Sequence, residues 1–560
     1  MLLERARAWL AQDPDGETRA ELRALIDAAE AGDPDAAAGL ADRFAGRLAF
    51  GTAGLRGELG AGSTRMNRVL VGQAAAGLAA YLVEKAAGPG VPSVVIGYDG
   101  RRNSDVFARD SAELFAGAGL RAILLPRLLP TPVLAFAVRE FGADAGVMVT
   151  ASHNPPNDNG YKVYLGGADE GAQIVSPADA EIAAHIQRIA DESHLAGLPR
   201  SLAYETAPES VVDDYIAATA AVAPAPDGAN GLSWVYTAMH GVGWETFARV
   251  VDAAGYPAPT IVEAQIEPDG AFPTVAFPNP EEPGAMDLAF QTARDAGADI
   301  VIANDPDADR LAVAIPDDAV DGGWRRLTGN EIGLLLGWRA ARIASSRRQE
   351  QGPDRASLAC SLVSSPGLAA VAAHYGLDFH STLTGFKWIS RAPGIVFGFE
   401  EALGYLVNPE TVRDKDGISA AIAMLGLVSE AHGRGASISD LLVEFDATFG
   451  SFASDQVSVR VDDISAIARI MASLRARHPE FIGDVAVERV EDLLEGADGF
   501  PPGDVLRLWL VDGSRVIVRP SGTEPKLKLY LDVRGDSASE AAERIAGLAQ
   551  GARVLLEGIG

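Results

Sequence analysis

An α/β fold divided among several domains is what the sequence predicts, on three observations. Strand-length apolar runs such as 93–98 and 122–125 alternate with helical stretches such as 107–118, the βαβ pattern of a parallel sheet. Two further runs, 146–149 and 300–303, each lead into a polar loop crowded with turn formers and charged or hydroxyl side chains. A chain of 560 residues is too long for one ordinary core and, by the usual size of domains, divides into about three to four.

Taken in order, residues 1–40 are rich in alanine and charge at helical spacing, and predict a helical extension packed on the first domain. The first α/β domain spans 41–207 and carries the alternating runs above; turn formers and polar residues over 197–208 mark its end. The second, 208–320, contains Trp234-Val235-Tyr236-Thr237-Ala238-Met239-His240-Gly241-Val242-Gly243, a strand running into a glycine-rich turn where His240 suits a domain interface or catalysis. A faint echo links these two domains. Gly142-Ala143-Asp144 precedes one apolar run and Gly297-Ala298-Asp299 the other, although a glycine closing a helix before a strand is commonplace. A third α/β domain covers 321–450. The last, 451–560, alternates apolar and polar residues over 457–461 and 526–533, as an antiparallel α+β domain does.

The chemistry concentrates in the two loops. Thr150-Ala151-Ser152-His153-Asn154-Pro155 follows a buried-type strand, which places Ser152 beyond its carboxyl end, where open α/β sheets bind ligands. A serine hydroxyl is a weak nucleophile and needs a base, a metal or a dense positive field; a serine in such a loop also serves as a helix cap. Asn304-Asp305-Pro306-Asp307-Ala308-Asp309-Arg310 sets Asp305, Asp307 and Asp309 two residues apart, a hard-oxygen cage suited to Mg²⁺. It is not an EF-hand loop, because Arg310 stands at the glycine position and Pro316 at the bidentate glutamate position.

Composition limits the partners. A net charge of −30 argues against nonspecific nucleic-acid binding, and it would repel an anionic substrate unless the site were locally basic. The polar segments do gather Arg56, Arg101, Arg102, Lys162, Arg310, Lys387, Arg519 and Lys526. Cys360 is the only cysteine, so no internal disulfide forms; its apolar neighbours predict a packed thiol in a reducing compartment. The start lacks an apolar signal core and no apolar run is long enough to span a bilayer, which predicts a cytoplasmic protein without a membrane partner. No Gly-x-x-x-x-Gly-Lys-Ser/Thr loop occurs and Gly51, Gly54 and Gly57 lack dinucleotide spacing, so neither a kinase of that type nor an NAD enzyme is expected.

Several segments together resemble the α-D-phosphohexomutases, the phosphoglucomutase and phosphomannomutase superfamily. The serine loop and the Asp-Pro-Asp-Ala-Asp-Arg run are joined, in the family's order, by Phe50-Gly51-Thr52-Ala53-Gly54-Leu55-Arg56-Gly57, Gly97-Tyr98-Asp99-Gly100-Arg101-Arg102-Asn103-Ser104 and Asn159-Gly160-Tyr161-Lys162-Val163-Tyr164. Gly398-Phe399-Glu400-Glu401-Ala402-Leu403-Gly404-Tyr405 resembles the sugar-recognition loop, and Arg519-Pro520-Ser521-Gly522-Thr523-Glu524-Pro525-Lys526 the C-terminal phosphate loop. Gly385-Phe386-Lys387-Trp388 and the Gly-Tyr ending of the sugar loop are closer to the phosphoglucomutase-2 and phosphopentomutase-like branch. Ala402 departs from members that carry a serine there, so one sugar hydroxyl contact is either absent or made by another group.

The resemblance implies four domains around a central cleft, three related α/β domains and a C-terminal α+β domain. It implies a phosphoserine at Ser152, Mg²⁺ on Ser152, Asp305, Asp307 and Asp309, and a catalytic set of Ser152, Lys162, Arg56, Arg310, Lys387 and His153. His153 either acts as general base or orders its loop. Lys162 and Lys387 either transfer protons, if burial or neighbouring cations depress their pKa, or bind phosphate. Arg310 either clamps phosphate or pairs with the aspartates. Sugar and distal phosphate contacts fall to Glu400, Glu401, Arg519, Ser521, Gly522, Thr523, Lys526 and Arg101.

The implied activity interconverts hexose 1-phosphate and hexose 6-phosphate, glucose first and mannose second, with glucose 1,6-bisphosphate as intermediate and activator, in a monomer or homodimer. A phosphopentomutase and a Mg²⁺-dependent phosphatase are the alternatives, with a non-enzymatic sugar-phosphate sensor behind them; a dedicated distal-phosphate loop argues against the phosphatase.

Overall fold

Three helices open the chain, Leu2–Gln12, Gly16–Glu30 and Pro34–Arg43. Asp15 and Asp33 start the second and third by accepting from the amides of Glu17 and Thr18 and of Asp35 and Ala36. Their apolar sides, with Ala6, Trp9, Leu22, Ile26 and Leu40, join the first domain's core, and Glu21 receives the Ala61 amide at 2.9 Å. The computed structural model describes residues 1–86, 90–351, 355–460, 464–497, 499–520 and 526–557.

The first sheet orders its strands Leu55–Glu58, Asp158–Leu165, Ala145–Val149, Ser93–Tyr98, Arg121–Leu124 and Glu205–Thr206. The last four run parallel, while Asp158–Leu165 turns back antiparallel on Ala145–Val149. Arg68–Lys85, apolar on almost every face, is correspondingly buried along most of its length. The second sheet repeats the device. Ile300–Asn304 lies parallel to Trp234–Thr237 and is followed by the antiparallel strand Leu311–Pro316. In both domains a glycine in the left-handed region, Gly142 at φ 56° and Gly297 at φ 59°, precedes the loop-bearing strand.

Residues 1–326 and 404–430 form one compact unit, and residues 327–403 and 431–560 a second. The return of 404–430, which the expected boundaries put within the third domain, has a polar cause. Arg413 pairs with Glu170 at 2.7 Å, Tyr164 donates to Asp414 at 3.0 Å, and Tyr215 donates to Asp416 at 3.0 Å. Gly417 sits so close that a Cβ would lie 2.2 Å from the Arg310 carbonyl oxygen.

In the second unit, Asp378–Thr382, Ser357–Ser361 and Ile395–Glu400 pair in parallel. The C-terminal sheet is antiparallel, from Ser451–Arg460 through Lys526–Gly535, Arg515–Pro520, Leu506–Leu510 and Val485–Asp492 to Phe481–Ile482. Leu362, Val363, Leu493, Val505, Ile517 and Tyr530 form a shared apolar cluster, and Cys360 is a buried thiol pushed up to about 12 by burial. Among the described residues no helix is long and apolar enough to cross a membrane.

Candidate active site

The serine loop begins where the fully buried strand Ala145–Val149 ends. Ser152 is 2% exposed and adopts φ 50°, a left-handed backbone that a side-chain-bearing residue holds only when its surroundings insist. The insistence comes from Arg101. Its Nη2 donates to the carbonyls of Ser152 and Asn154, both at 2.6 Å, and its Nη1 to those of Pro155 at 2.8 Å and Asp158 at 3.1 Å. Those four bonds use every Nη hydrogen of the guanidinium. The side chain that the sequence reading gave to substrate, 3% exposed, is in this structure engaged with the backbone of the serine loop.

The acidic cage closes the hairpin between Ile300–Asn304 and Leu311–Pro316. Asp305, Asp307 and Asp309 are fully buried, with potential ligand oxygens all within 4.8 Å of one another. Asn304 locks the hairpin by donating to the Arg310 carbonyl at 2.7 Å while accepting from Tyr236 at 2.9 Å. Ser152 Oγ donates to Asp305 Oδ2 at 2.8 Å, and the Arg310 amide to Asp305 Oδ1 at 2.9 Å. Asp307 Oδ1 and Asp309 Oδ1 are buried without a hydrogen-bond partner, an arrangement that costs free energy unless a cation takes it up. The donor set, three carboxylates and a hydroxyl, fits a hard divalent ion.

Cations surround the cage. Lys162, brought in by the antiparallel strand Asp158–Leu165, places Nζ 2.7 Å from Asp307 Oδ2 and 2.8 Å from Asp309 Oδ2. Burial alone would depress its pKa, but the two carboxylates outweigh burial and raise it. This reverses the depressed lysine that proton transfer required, and leaves Lys162 a fixed positive charge in this arrangement. Arg310 Nε lies 3.7 Å from Asp309 Oδ1, and Arg56 Nη1 donates to Asn154 Oδ1 at 3.2 Å. His153 Nδ1 stands 3.4 Å from Ser152 Oγ; burial, then Arg310 and Arg56, hold the imidazole well below its ordinary range and so neutral.

Two members of the cluster escaped the sequence reading. Lys415 Nζ lies 3.4 Å from Asp309 Oδ2 and 3.0 Å from Asp414 Oδ1, and is 6% exposed. Burial raises the Asp309 pKa, yet Lys162, Lys415 and Arg310 together carry it well below the usual carboxylate range, whereas burial and the Asp309 charge push Asp305 and Asp307 up. Thr131 Oγ1 donates to Asp307 Oδ2 at 2.5 Å and its amide to the Asp307 carbonyl at 2.9 Å. The only sequence signals were the charged run 413–417 and a hydroxyl at a helix start.

The remaining candidates belong to the second unit. Glu400 ends the strand Ile395–Glu400 half-buried, and Lys387 sits half-buried in the short helix Phe386–Ile389. Glu401 Oε2 accepts from Ser361 at 3.1 Å and Ser364 at 3.0 Å, hydroxyls at and just after the end of the strand Ser357–Ser361. Burial, then the Glu400 charge, raise its carboxyl to about 7. Arg519 is near the end of Arg515–Pro520, and Lys526 opens Lys526–Gly535 opposite Arg460. Ser521, Gly522 and Thr523 lie outside the described residues.

Four family profiles match the chain in order: "Phosphoglucomutase/phosphomannomutase, alpha/beta/alpha domain I" over residues 47–193, domain II over 213–319, domain III over 328–447 and the C-terminal domain over 457–548. A probable phosphomannomutase of Haemophilus influenzae is 53% identical over 88% of this chain and 98% of its own. A probable phosphoribomutase of Schizosaccharomyces pombe is 33% identical over 98% and 97%, and a phosphoglucomutase of Staphylococcus epidermidis 33% over 89% and 93%. In fold, the chain is similar to a Thermus thermophilus putative phosphomannomutase, with TM-score 0.68 at 23% identity over 91% of this chain and 99% of that one.

Proposed function

The chain belongs to the phosphoglucomutase/phosphomannomutase family of phosphomutases, and from that premise we propose that it interconverts hexose 1-phosphate and hexose 6-phosphate through a phosphoserine at Ser152. Glucose is the first substrate and mannose the second. The observation that carries the reading is the convergence of Ser152 Oγ, Lys162 and three buried aspartates in one cluster.

In the forward half-reaction a sugar hydroxyl attacks the phosphorus on Ser152. The P–Oγ bond breaks, a P–O bond to the sugar forms, the hydroxyl proton passes to a base, and Ser152 Oγ takes up a proton in turn, with His153 Nδ1 3.4 Å away. Glucose 1,6-bisphosphate, or its mannose counterpart, then turns end for end and returns its other phosphate to Ser152. Lys162 and Arg310 hold positive charge beside the transferring group, and Arg101 keeps the nucleophile's backbone in place. Asp305, Asp307 and Asp309, with the Ser152 oxygen, would hold Mg²⁺, which when bound offsets the charge of phosphoryl oxygens. Glu400 orients sugar hydroxyls, while the segment from Arg519 to Lys526 grips the phosphate that is not reacting.

A pentose phosphate is the second reading, favoured by the phosphoribomutase relative that matches nearly end to end. The test is ³¹P NMR with Mg²⁺ and trace glucose 1,6-bisphosphate, fed separately with glucose, mannose and ribose 1-phosphates. Conversion of a hexose ester to its isomer without inorganic phosphate supports the proposal. Conversion of ribose 1-phosphate alone moves it to the pentose reading, and phosphate release alone to a phosphatase.

A further inference from the structure

Arg101 is itself held from its open side. The guanidinium carbon lies 4.9 Å from the centroid of the Phe272 ring, which comes from the second domain. Phe272 is 3% exposed and adopts φ 48°, a left-handed conformation costly for a bulky side chain. Its ring meets His240 edge-on at 6.4 Å and 79°, and His240 is left-handed too, at φ 60°. Such residues persist when the surroundings over-determine them, and they gather where geometry serves a mechanism.

The surroundings here are specific. The His240 amide donates to the Gln265 carbonyl at 2.8 Å, its carbonyl accepts from the Asp269 amide at 2.9 Å, and its Nε2 lies 2.8 Å from Thr274 Oγ1. The Phe272 amide donates to the Asp269 carbonyl at 3.0 Å, and its own carbonyl accepts from Val275 at 3.1 Å. Gly270 lets the loop press onto the first domain, since a Cβ there would lie 2.9 Å from the Gly100 carbonyl oxygen and 3.0 Å from the Arg102 amide. These contacts clasp the loop around the Phe272 ring, which lies over Arg101.

We infer that Phe272, seated by His240 and Thr274, is a positioning residue for phosphoryl transfer: it fixes Arg101, whose four carbonyl contacts fix the left-handed Ser152. The inference rests on the mutase reading. It gives the Met239–Gly243 turn a purpose that neither metal binding nor sugar recognition supplies. It also means that the second domain sets both halves of the cluster, the carboxylates directly and the serine loop through one aromatic ring. The ring suits the task because a buried guanidinium whose Nη hydrogens are all engaged still presents a cationic face, which an aromatic ring stabilises and an aliphatic side chain does not.

The test compares Phe272→Leu with Phe272→Tyr in the full-length enzyme with Mg²⁺. Phe272→Leu is expected to lower kcat by about 10- to 100-fold while KM stays within about twofold, the pattern of a misplaced nucleophile rather than lost substrate binding. Phe272→Tyr keeps the ring face and is expected to retain kcat within about threefold. Wild-type kcat in Phe272→Leu, or an equal loss in both variants, overturns the inference. If Phe272→Leu does not fold, Thr274→Val gives the same reading, with a lowered kcat expected at unchanged KM and a wild-type kcat overturning it. If the unaltered protein turns over no sugar phosphate, the mutase reading fails separately. The brace is then judged by hydrogen exchange of the 152–158 amides, where faster exchange in whichever variant folds supports it and unchanged protection overturns it.

Discussion

Ser152 Oγ donates a hydrogen bond to Asp305 Oδ2 over 2.8 Å, joining two loops that lie 153 positions apart in the chain. Each loop follows a fully buried strand of its own domain, so the contact is as fixed as the docking of those domains. A hydroxyl already on a carboxylate of the cage is placed to share any ion that the carboxylates hold.

The cage has an outer support that should tune its affinity. Thr131 Oγ1 bonds Asp307 Oδ2, and partners of this kind typically alter metal affinity about 10- to 100-fold when removed. Thr131→Val is expected to raise the Mg²⁺ concentration for half-maximal activity by that factor with the sugar-phosphate KM unchanged. Superimposable Mg²⁺ titrations would refute the support.

Lys415 offsets the charge of Asp309, as a divalent ion held by the cage would, so the two should substitute for one another in part. Removing one partner of a buried ion pair typically costs about 3–5 kcal/mol, and Lys415→Met is expected to lose stability on that scale without metal. Mg²⁺ should then stabilise the variant more than the unaltered protein. Urea unfolding with and without Mg²⁺ reads the difference; an equal metal effect in both would contradict it.

Asp416 predicts a pH effect on stability. Burial raises its carboxyl to about 6 even though the Ser419 and Ile418 amides and the Tyr215 hydroxyl pull the other way. The folded state thus binds the proton more tightly than the unfolded chain. Its contribution is fully present below the ordinary aspartate value of 3.8 and is lost as pH rises through about 6. Relative to Asp416→Asn, the unaltered protein should lose up to about 3 kcal/mol across that window. A difference that does not vary with pH, measured by denaturant unfolding, would refute this.

Ser364 links the sugar loop to the C-terminal sheet within the second unit. Its hydroxyl donates to Glu401 Oε2 at 3.0 Å and accepts from the Glu401 amide at 3.2 Å, while its carbonyl accepts from Arg515 at 2.7 Å. Ser364→Ala frees Glu401 at one of two anchors and should raise the sugar-phosphate KM by about tenfold, the worth of one charge-assisted bond. Steady-state kinetics test it, and an unchanged KM would count against Glu401 as the loop's anchor.

How much of this was legible follows from what each feature depends on. Ser152 and the three aspartates were readable because strand, turn and side chains are contiguous, and the Gly142 and Gly297 echo marked the same strand–loop–strand device in both domains. The pKa of Lys162 was not, since it is set by carboxylates 145 and 147 positions away. Arg101 announced a cation but not that its acceptors would be four backbone carbonyls. Lys415 sits in a charged run of the kind that is usually solvated, and only the return of 404–430 to the first unit buries it. Phe272 carried no local signal, because its function is a contact with another domain.

The central claim is that phosphate passes through Ser152. The direct measurement is peptide mapping after brief exposure to ³²P-labelled glucose 1,6-bisphosphate with Mg²⁺, followed by a chase with unlabelled hexose monophosphate. The account predicts label on Ser152 alone, transferred to sugar in the chase and absent from Ser152→Ala. Label on another residue, or full mutase turnover in Ser152→Ala, would contradict it.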